Sequence, residues 1–142
     1  MKKQLLLTIL CAITGIALAG ETPSWLRNSK ISPDGSTIVF TYKGDIFTVP
    51  SKGGEARQIT SLGYYDTAPI WSPDGKKLYL IELNRDQNRG SLDEYDATTG
   101  EKLRTLFTES NDKYFEPHTP IQFLPWDDTK FIYQTRKDGY NH

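Results

Sequence analysis

The side chains best suited to acid–base chemistry in this sequence are its two histidines, His118 and His142. Either imidazole could act as a general base toward a serine hydroxyl, which is how many hydrolases activate their nucleophile. His118, however, lies in a loop between Pro117 and Pro120, and the sequence contains no Gly-x-Ser-x-Gly, the turn that exposes a catalytic serine. We therefore interpret the histidines as loop and terminal residues, and we predict that this chain holds no catalytic residue.

One loop contains oxygen-bearing side chains in alternation, as a calcium loop does. These residues are Asn84, Asp86 and Asn88. The first position lacks aspartate, Gly90 comes one place late, and Tyr95 stands at the twelfth position where a bidentate glutamate is required. The pattern favours a polar loop, and we predict neither a metal site nor a cofactor.

Two acidic pairs could also bind a ligand. Asp93 and Glu94 are neighbours in a predicted strand, where successive side chains point to opposite faces, so they would not act as one clamp. We interpret them as charges on an edge strand beside Tyr95. Asp127 and Asp128 are interpreted as turn residues.

The composition excludes several classes of function. The formal charge is −1, and removing Lys2 and Lys3 with a leader would make it −3, which argues against a nucleic-acid surface. Cys11 is the only cysteine and lies in the predicted leader, so the mature chain would have no disulfide, thiolate metal site or cysteine nucleophile.

The first nineteen residues have the organisation of a secretory signal peptide. Two lysines precede a mostly apolar run over 5–18, and Ala17-Leu18-Ala19 fits the small-x-small cleavage pattern. We expect cleavage after Ala19, a periplasmic or extracellular location, and no membrane contact after cleavage. An uncleaved anchor is the alternative.

The rest of the chain contains an internal repeat of about forty residues, built around a Ser-Pro-Asp-Gly turn. In such a turn proline presets φ, aspartate bonds its own backbone and glycine takes the positive φ. A third, eroded copy covers 123–133, and its later position indicates an insertion in the second unit. The two clear copies of the turn are Ser32, Pro33, Asp34 and Gly35, then Ser72, Pro73, Asp74 and Gly75.

Short alternating runs around these turns predict four strands per unit, which is typical of a propeller blade. The predicted fold is all-β: an incomplete β-propeller of about two and a half four-stranded blades over 20–142, in units of about 27–66, 67–118 and 119–142. Several aromatic residues could form a peptide- or sugar-binding patch, but their positions favour packing within blades. They are Trp25, Trp71, Trp126, Tyr64, Tyr65, Tyr79 and Tyr95.

Propellers typically close with four to eight blades, so this chain has too few for a ring. Either the open blade edges pair with other copies of the chain, or the chain is part of something longer. The sequence stops just after a turn signal, where a further strand is expected, and this favours the longer protein. A chain that does not fold stably alone is a third possibility.

The two halves resemble two related families. Residues 24–77 resemble the N-terminal propeller of exported tricorn-type proteases, and the similarity lies in the runs 31–35, 40–47, 53–61 and 71–76. The individual motifs in these runs also occur in TolB-like propellers. Residues 71–142 resemble the propeller domain of bacterial dipeptidyl peptidase IV, of the prolyl oligopeptidase class, on the runs 83–88, 95–100, 113–117 and 136–142.

The resemblance implies a non-catalytic propeller segment that frames substrate access to a serine hydrolase domain absent from this chain. The parent enzyme would remove N-terminal dipeptides with proline or alanine second, and peptide substrate would be bound only together with the missing domain. The alternative functions are a tricorn-like propeller segment, or a TolB-like periplasmic module that self-associates and binds a protein. Because the halves meet at 71–77, the chain is either a join of two propeller genes or one divergent gene.

Overall fold

The structure is a computed structural model of the chain, and it describes residues 25–61, 63–116 and 120–135. The predicted leader, His118 and His142 lie outside the described residues. Within the described residues no helix is long and apolar enough to cross a membrane.

The described part of the chain forms strands and turns only, which confirms the all-β prediction. Two sheets have four antiparallel strands in sequence order, and a third has two strands. The first sheet contains β1 (Leu26–Ile31), β2 (Thr37–Tyr42), β3 (Asp45–Pro50) and β4 (Arg57–Gln58). The second contains β5 (Tyr65–Trp71), β6 (Lys77–Leu83), β7 (Arg89–Asp96) and β8 (Lys102–Ser110), and the third β9 (Gln122–Leu124) and β10 (Asp127–Ile132).

The fourth strand of the first unit is shorter than the sequence predicts. The run over 56–60 predicts a strand of five residues, but β4 contains only Arg57 and Gln58. Beyond β4 the backbone N–H of Ile59 donates to the carbonyl of Ile46 at 2.7 Å, and the N–H of Thr60 points to the same oxygen at 3.4 Å. Two donors converging on one acceptor end the regular ladder.

Both Ser-Pro-Asp-Gly turns have the same hydrogen-bond pattern. The hydroxyl of Ser32 donates to Asp34 at 2.6 Å, and that of Ser72 donates to Asp74 at 2.6 Å. The hydroxyl bonds from Ser32 and Ser36, with the Ser36 backbone N–H, lower the pKa of Asp34 to about 2. Each turn thus fixes the register between the first two strands of its sheet.

A bulge interrupts the first strand of each four-stranded sheet. The register shifts between Arg27 and Lys30 in β1, and between Thr67 and Ile70 in β5. Asn28 has φ of 51° in the first bulge and Ala68 has φ of 52° in the second. Alanine is strained in this left-handed region, whereas asparagine tolerates it.

Replacing Ala68 by asparagine should therefore raise the free energy of unfolding by about 0.5–1 kcal/mol, because it relieves this backbone strain. Urea denaturation of the mature chain measures the change. The matched variant Asn28→Ala should lower stability by a similar amount. Equal stabilities for Ala68→Asn and the unsubstituted chain would contradict the strain.

Apolar side chains join the three sheets face to face. Val39 and Ile46 of the first sheet pack with Leu78, Leu80 and Tyr95 of the second. The opposite face of the second sheet packs against the third sheet through a cluster rich in aromatic residues, containing Tyr79, Ile81, Leu83, Leu92, Ile121, Phe123 and Phe131. The alternation along β6 thus supplies both joints, as in stacked propeller blades.

Candidate functional site

The acidic pair of β7 lies in the centre of the second sheet, so the edge-strand prediction was wrong. β7 pairs with β6 on one side and β8 on the other, and Asp93 and Glu94 are 0% and 1% exposed. Their bonding partners confirm that the two side chains point to opposite faces. Each face therefore contains a buried carboxylate with its own cation.

On the face toward the first sheet, one ammonium group joins two carboxylates. Lys102 Nζ lies 3.0 Å from Asp93 Oδ1 and 3.2 Å from Glu82 Oε2. Asp93 also accepts hydrogen bonds from Ser91 Oγ at 2.6 Å and from the hydroxyl of Thr105. The hydroxyl of Tyr95 donates to Glu82, and burial together with that bond raises the pKa of Tyr95.

Asp66 adds a third carboxyl group to this face. It pairs with Glu82 across β5 and β6, is 1% exposed, and its Oδ1 has no hydrogen-bond partner. Burial raises its pKa to about 6; a hydrogen bond from Thr60 opposes the shift, and the charge of Glu82 adds to it. This face thus holds three acids, and within the described residues Lys102 is the one cation that pairs with any of them, through Glu82 and Asp93.

On the opposite face, Glu94 holds two cations. It pairs with Lys77 and accepts a hydrogen bond from Arg104 Nε at 2.7 Å. Burial opposes its ionisation, but the bonds from Lys77 and Arg104 outweigh burial and lower the pKa of Glu94. This network lies beside the joint between the second and third sheets, where Arg104 and Lys77 line a cleft of about 340 Å³.

A polar crevice of about 450 Å³ opens at the side of the acidic face. Its walls include Glu82, Ser91, Lys102 and Thr105, with Tyr64 and Arg89 at the rim. The hydroxyl of Ser91 is bonded to Asp93, which is an orienting contact and not activation by a base. These contacts can hold the strands of the second sheet together and expose polar groups to the crevice. Within the described residues, no group of acids, histidines or cysteines could hold a metal ion.

Asn84 and Asp127, which the sequence offered as possible ligands, accept hydrogen bonds within their own turns. Asn84 Oδ1 accepts from the backbone N–H groups of Asn88 at 3.1 Å and Arg89 at 2.9 Å. Asp127 Oδ1 accepts from the backbone N–H of Thr129 at 3.1 Å and lies at the start of β10. Both sets of oxygens therefore act as turn acceptors.

The seven aromatic residues divide into two groups. Tyr79 and Tyr95 are buried, and Trp71 is half-buried with its indole N–H donating to the carbonyl of Lys30 at 3.2 Å, which confirms packing for these three. The packing prediction was wrong for the other four, which are exposed by 44% or more: Trp25, Tyr64, Tyr65 and Trp126.

Sequence reasoning missed Asp66, Glu82 and Lys102. The signal was present in the repeat itself. Forty positions separate Asp66 from Leu26 and Glu82 from Tyr42, so aligning the two units places acids where the first unit has apolar or aromatic residues. Where one unit of a repeat has a different class of residue from the next, the packing between neighbouring sheets at that position differs as well.

Comparison with known proteins identifies relatives of both halves. The family model of the dipeptidyl peptidase IV N-terminal region matches residues 63–142. A candidate dipeptidyl aminopeptidase IV from Bacteroides ovatus has a similar structure, with a TM-score of 0.71 and 34% identity, over 81% of this chain and 22% of that one. The uncharacterized peptidase YuxL of Bacillus subtilis is 35% identical over 72 residues, which are 47% of this chain and 11% of YuxL.

Two further solved structures share the fold. The tricorn protease has a TM-score of 0.62 at 22% identity, over 82% of this chain and 11% of its own. TolB of Agrobacterium tumefaciens has a TM-score of 0.54 at 25% identity, over 60% of this chain and 34% of its own. The predicted resemblances and the propeller fold are confirmed, and the chain spans 22% of the Bacteroides relative and 11% of the Bacillus relative.

Proposed function

Because the chain belongs to the family of dipeptidyl peptidase IV N-terminal regions, we propose that it is the first part of the propeller of an exported serine dipeptidyl peptidase. The match of the family model over 63–142 is the observation that carries this proposal. The predicted leader supports export, and the parent enzyme would release dipeptides with proline or alanine in the second position.

In this proposal the chain frames substrate access and does not perform the chemistry. Propeller blades that stand around an entrance must hold their relative positions, because loosely held walls would not exclude poor substrates. The buried networks of Lys102 and Glu94 support that role, since each couples β7 to β8 within the second blade. The catalytic serine, histidine and acid would belong to the missing hydrolase domain.

A single gene for both halves is part of the proposal. The Bacteroides match covers 81% of the chain, so it includes residues on both sides of 71–77. One relative that aligns across this segment supports a divergent gene over a join of two. Amplification across codons 60–90 from the source DNA should give one product, and two separate partners for the halves would contradict this part of the proposal.

Sequencing of the source locus through codon 142 and beyond tests the function. We expect the reading frame to continue into a Gly-x-Ser-x-Gly segment. The protein expressed from that frame should hydrolyse a Gly-Pro chromogenic dipeptide, whereas the 142-residue chain should not. Replacing the predicted serine by alanine should abolish hydrolysis in the longer protein.

Two results would contradict the proposal. A stop codon directly after His142, with stable oligomers whose size depends on concentration, would favour a self-associating TolB-like binding module. Hydrolysis by the pure 142-residue chain would overturn the prediction that it holds no catalytic residue.

A further inference from the structure

A cleft lies where the first strands of both four-stranded sheets begin, beside the hairpin that joins β2 to β3. Leu26 pairs with Tyr42 across β1 and β2, and the N–H of Asp66 donates to the carbonyl of Gly44 at 2.7 Å, which holds the start of β5 against this hairpin. The cleft has a volume of about 700 Å³. We call it the aromatic cleft, and its lining residues are Trp25, Arg27, Thr41, Lys43, Gly44 and Tyr65.

Two exposed aromatic rings line the aromatic cleft. Trp25 and Tyr65 are 61% and 44% exposed, and both belong to the residues for which the packing prediction was wrong. The ring of Tyr65 lies against Gly44, where a Cβ would be only 3.2 Å from Tyr65 Cδ2. Lys43 and Gly44 have φ of 53° and 91°, as a two-residue type I′ hairpin turn requires. Trp25 and Tyr65 thus offer ring surface to a ligand beside a fixed turn.

The aromatic cleft also has two exposed cations, Arg27 and Lys43. Within the described residues neither of them forms an ion pair, and no carboxylate is among the residues that line the cleft. Lys43 Nζ lies 5.3 Å from the centroid of the Tyr42 ring, a contact that does not neutralise its charge. The cleft is therefore a site of positive charge, and an anion is the ligand that it would attract.

Thr41 is a buried residue of the cleft whose hydroxyl lacks a partner. It is 2% exposed, it pairs with Arg27 across β1 and β2, and within the described residues its Oγ1 has no hydrogen-bond partner. A buried hydroxyl without a partner lowers stability. The equivalent position of the second unit is Ile81, which pairs with Thr67 and packs in an apolar cluster. An apolar residue thus meets the packing at this position, and packing alone does not explain Thr41.

The two cations also depart from the repeat. Forty positions separate Arg27 from Thr67 and Lys43 from Leu83, so the second unit has uncharged residues where the first has both positive charges. Asn28 follows Arg27 in the bulge of β1, and its Nδ2 donates to Thr67 Oγ1 at 3.1 Å. This contact holds β1 beside β5 where the cleft opens. The cleft is therefore a feature of the first unit and not of the blade in general.

The polar groups of the aromatic cleft are mainly hydrogen-bond donors. Guanidinium, ammonium and indole groups donate only, and the carbonyl of Gly44 already accepts from Asp66. A carboxylate can accept two parallel bonds from Arg27, and the C–H face of a sugar ring can lie on an aromatic ring, whose face is negative. A peptide brings an N–H group for nearly every carbonyl, and those groups would find few acceptors here. An acidic sugar therefore fits the cleft better than an acidic peptide.

We propose that the aromatic cleft binds a sugar that carries a carboxylate, as a uronic acid unit of an oligosaccharide does. The rings of Trp25 and Tyr65 contact the sugar rings, and Arg27 and Lys43 pair with carboxylate groups. A sugar hydroxyl supplies the partner that Thr41 lacks. A volume of about 700 Å³ admits more than one sugar ring. Such binding breaks no covalent bond and does not depend on the peptidase activity proposed above.

Calorimetric titration of the protein expressed from the source locus tests this site. The probes are a β-1,4-linked mannuronate trimer and the mannose trimer of the same linkage, which has hydroxymethyl groups in place of the carboxylates. The acidic trimer should bind at one saturable site, and the neutral trimer should bind at least about tenfold more weakly.

Variants of the exposed lining residues assign the binding to the cleft. Trp25→Ala and Arg27→Gln should each weaken binding of the acidic trimer at least about tenfold. Trp126→Ala and Lys52→Gln are the matched controls, because both side chains are exposed and lie outside the cleft lining, and they should leave the affinity unchanged. All four variants should keep the Tm of the unsubstituted protein, since the replaced side chains are exposed.

Thr41→Val separates a binding role from a structural one. Valine keeps the shape of threonine without the hydroxyl, so the Tm should stay the same or rise, because an unpartnered buried group is removed. The acidic trimer should nevertheless bind about threefold or more weakly, since its hydrogen bond to Thr41 is lost. Unchanged affinity in Thr41→Val would contradict the role of this hydroxyl.

Several results would refute the sugar site: no binding of the acidic trimer, equal binding of the two trimers, or unchanged affinity in Trp25→Ala or Arg27→Gln. Tighter binding of triglutamate than of the acidic trimer would assign the cleft to an acidic peptide instead. Titration does not measure hydrolysis, so the two proposals fail separately. A protein that cleaves the Gly-Pro substrate without binding the trimer refutes the sugar site alone, and one that binds without cleaving refutes the proposed function alone.

Discussion

Replacing Gly90 by alanine should lower the free energy of unfolding by about 2–4 kcal/mol, as loss of a packed phenylalanine does. A Cβ at this position would overlap the ring of Phe115, with Cδ1 only 2.7 Å away, and would lie 3.2 Å from a methyl of Leu83. Phe115 packs against the cluster that joins the second and third sheets, so its displacement would open that joint.

Backbone hydrogen bonds hold the main chain of Phe115 beside Gly90. The N–H of Phe115 donates to the carbonyl of Gln87 at 2.7 Å, and the N–H of Asn111 donates to that of Asn88 at 2.8 Å. These bonds hold the segment after β8 along the loop before β7. The methyl group of Gly90→Ala would therefore displace the side chain of Phe115, and the variant would lose the packing of that ring.

A double-mutant cycle separates this contact from backbone effects. Gly90 is not in the left-handed region, so alanine there should otherwise be neutral or slightly stabilising. In a Phe115→Ala background, which leaves room for the new methyl, Gly90→Ala should raise stability by about 0.5 kcal/mol or leave it unchanged. Urea denaturation of the four proteins measures the coupling, and equal losses from Gly90→Ala in both backgrounds would refute the contact.

Local sequence predicted the turns and strands well because their causes lie within a few residues. The Ser-Pro-Asp-Gly turns depend on a hydroxyl and a carboxylate two residues apart, and Asp34 and Asp74 bond as that spacing requires. The runs 37–40 and 77–81 predict the strands that form β2 and β6, and each strand is two residues longer than its run. Strand position within a sheet is not local, which is why Asp93 and Glu94 were placed on an edge.

The candidate site was less predictable because it depends on which sheets stack. Nothing near Asp66 in the sequence distinguishes it from an exposed strand residue, yet the first sheet covers it. The exposure of Trp126 has the opposite origin, since it occupies a two-residue hairpin turn where its ring meets solvent. The burial of Asp66 and the exposure of Trp126 could be predicted only by aligning one repeat on another.

Asp66 should make the stability of the chain fall as pH rises from about 4 to about 6. Its folded-state pKa is about 6, above the ordinary value of 3.8, chiefly because burial disfavours the charged form. Between these values the folded state binds more protons than the unfolded state, so raising the pH favours unfolding. Below the lower value both states are protonated, and the penalty is absent.

The variant Asp66→Asn should remove this dependence. The amide can still accept the bond from Thr60, and its N–H₂ can donate toward Glu82 or Asp93, where the carboxylate of Asp66 adds repulsion. We expect a gain of about 2–3 kcal/mol at pH 7 and little change at pH 4. Chemical denaturation at the two pH values gives both numbers.

Asp34→Asn is the matched control because its carboxylate is shifted in the opposite direction. Its pKa is about 2, since hydrogen bonds from Ser32 and Ser36 favour the ionised form. That stabilisation is present above the ordinary value and is lost only as pH falls toward 2, so the variant should lose stability at pH 7 and pH 4 alike. If Asp66→Asn showed the same pH-independent loss, the buried carboxyl would be ionised at little cost, and Lys102 would have to neutralise all three acids of the face.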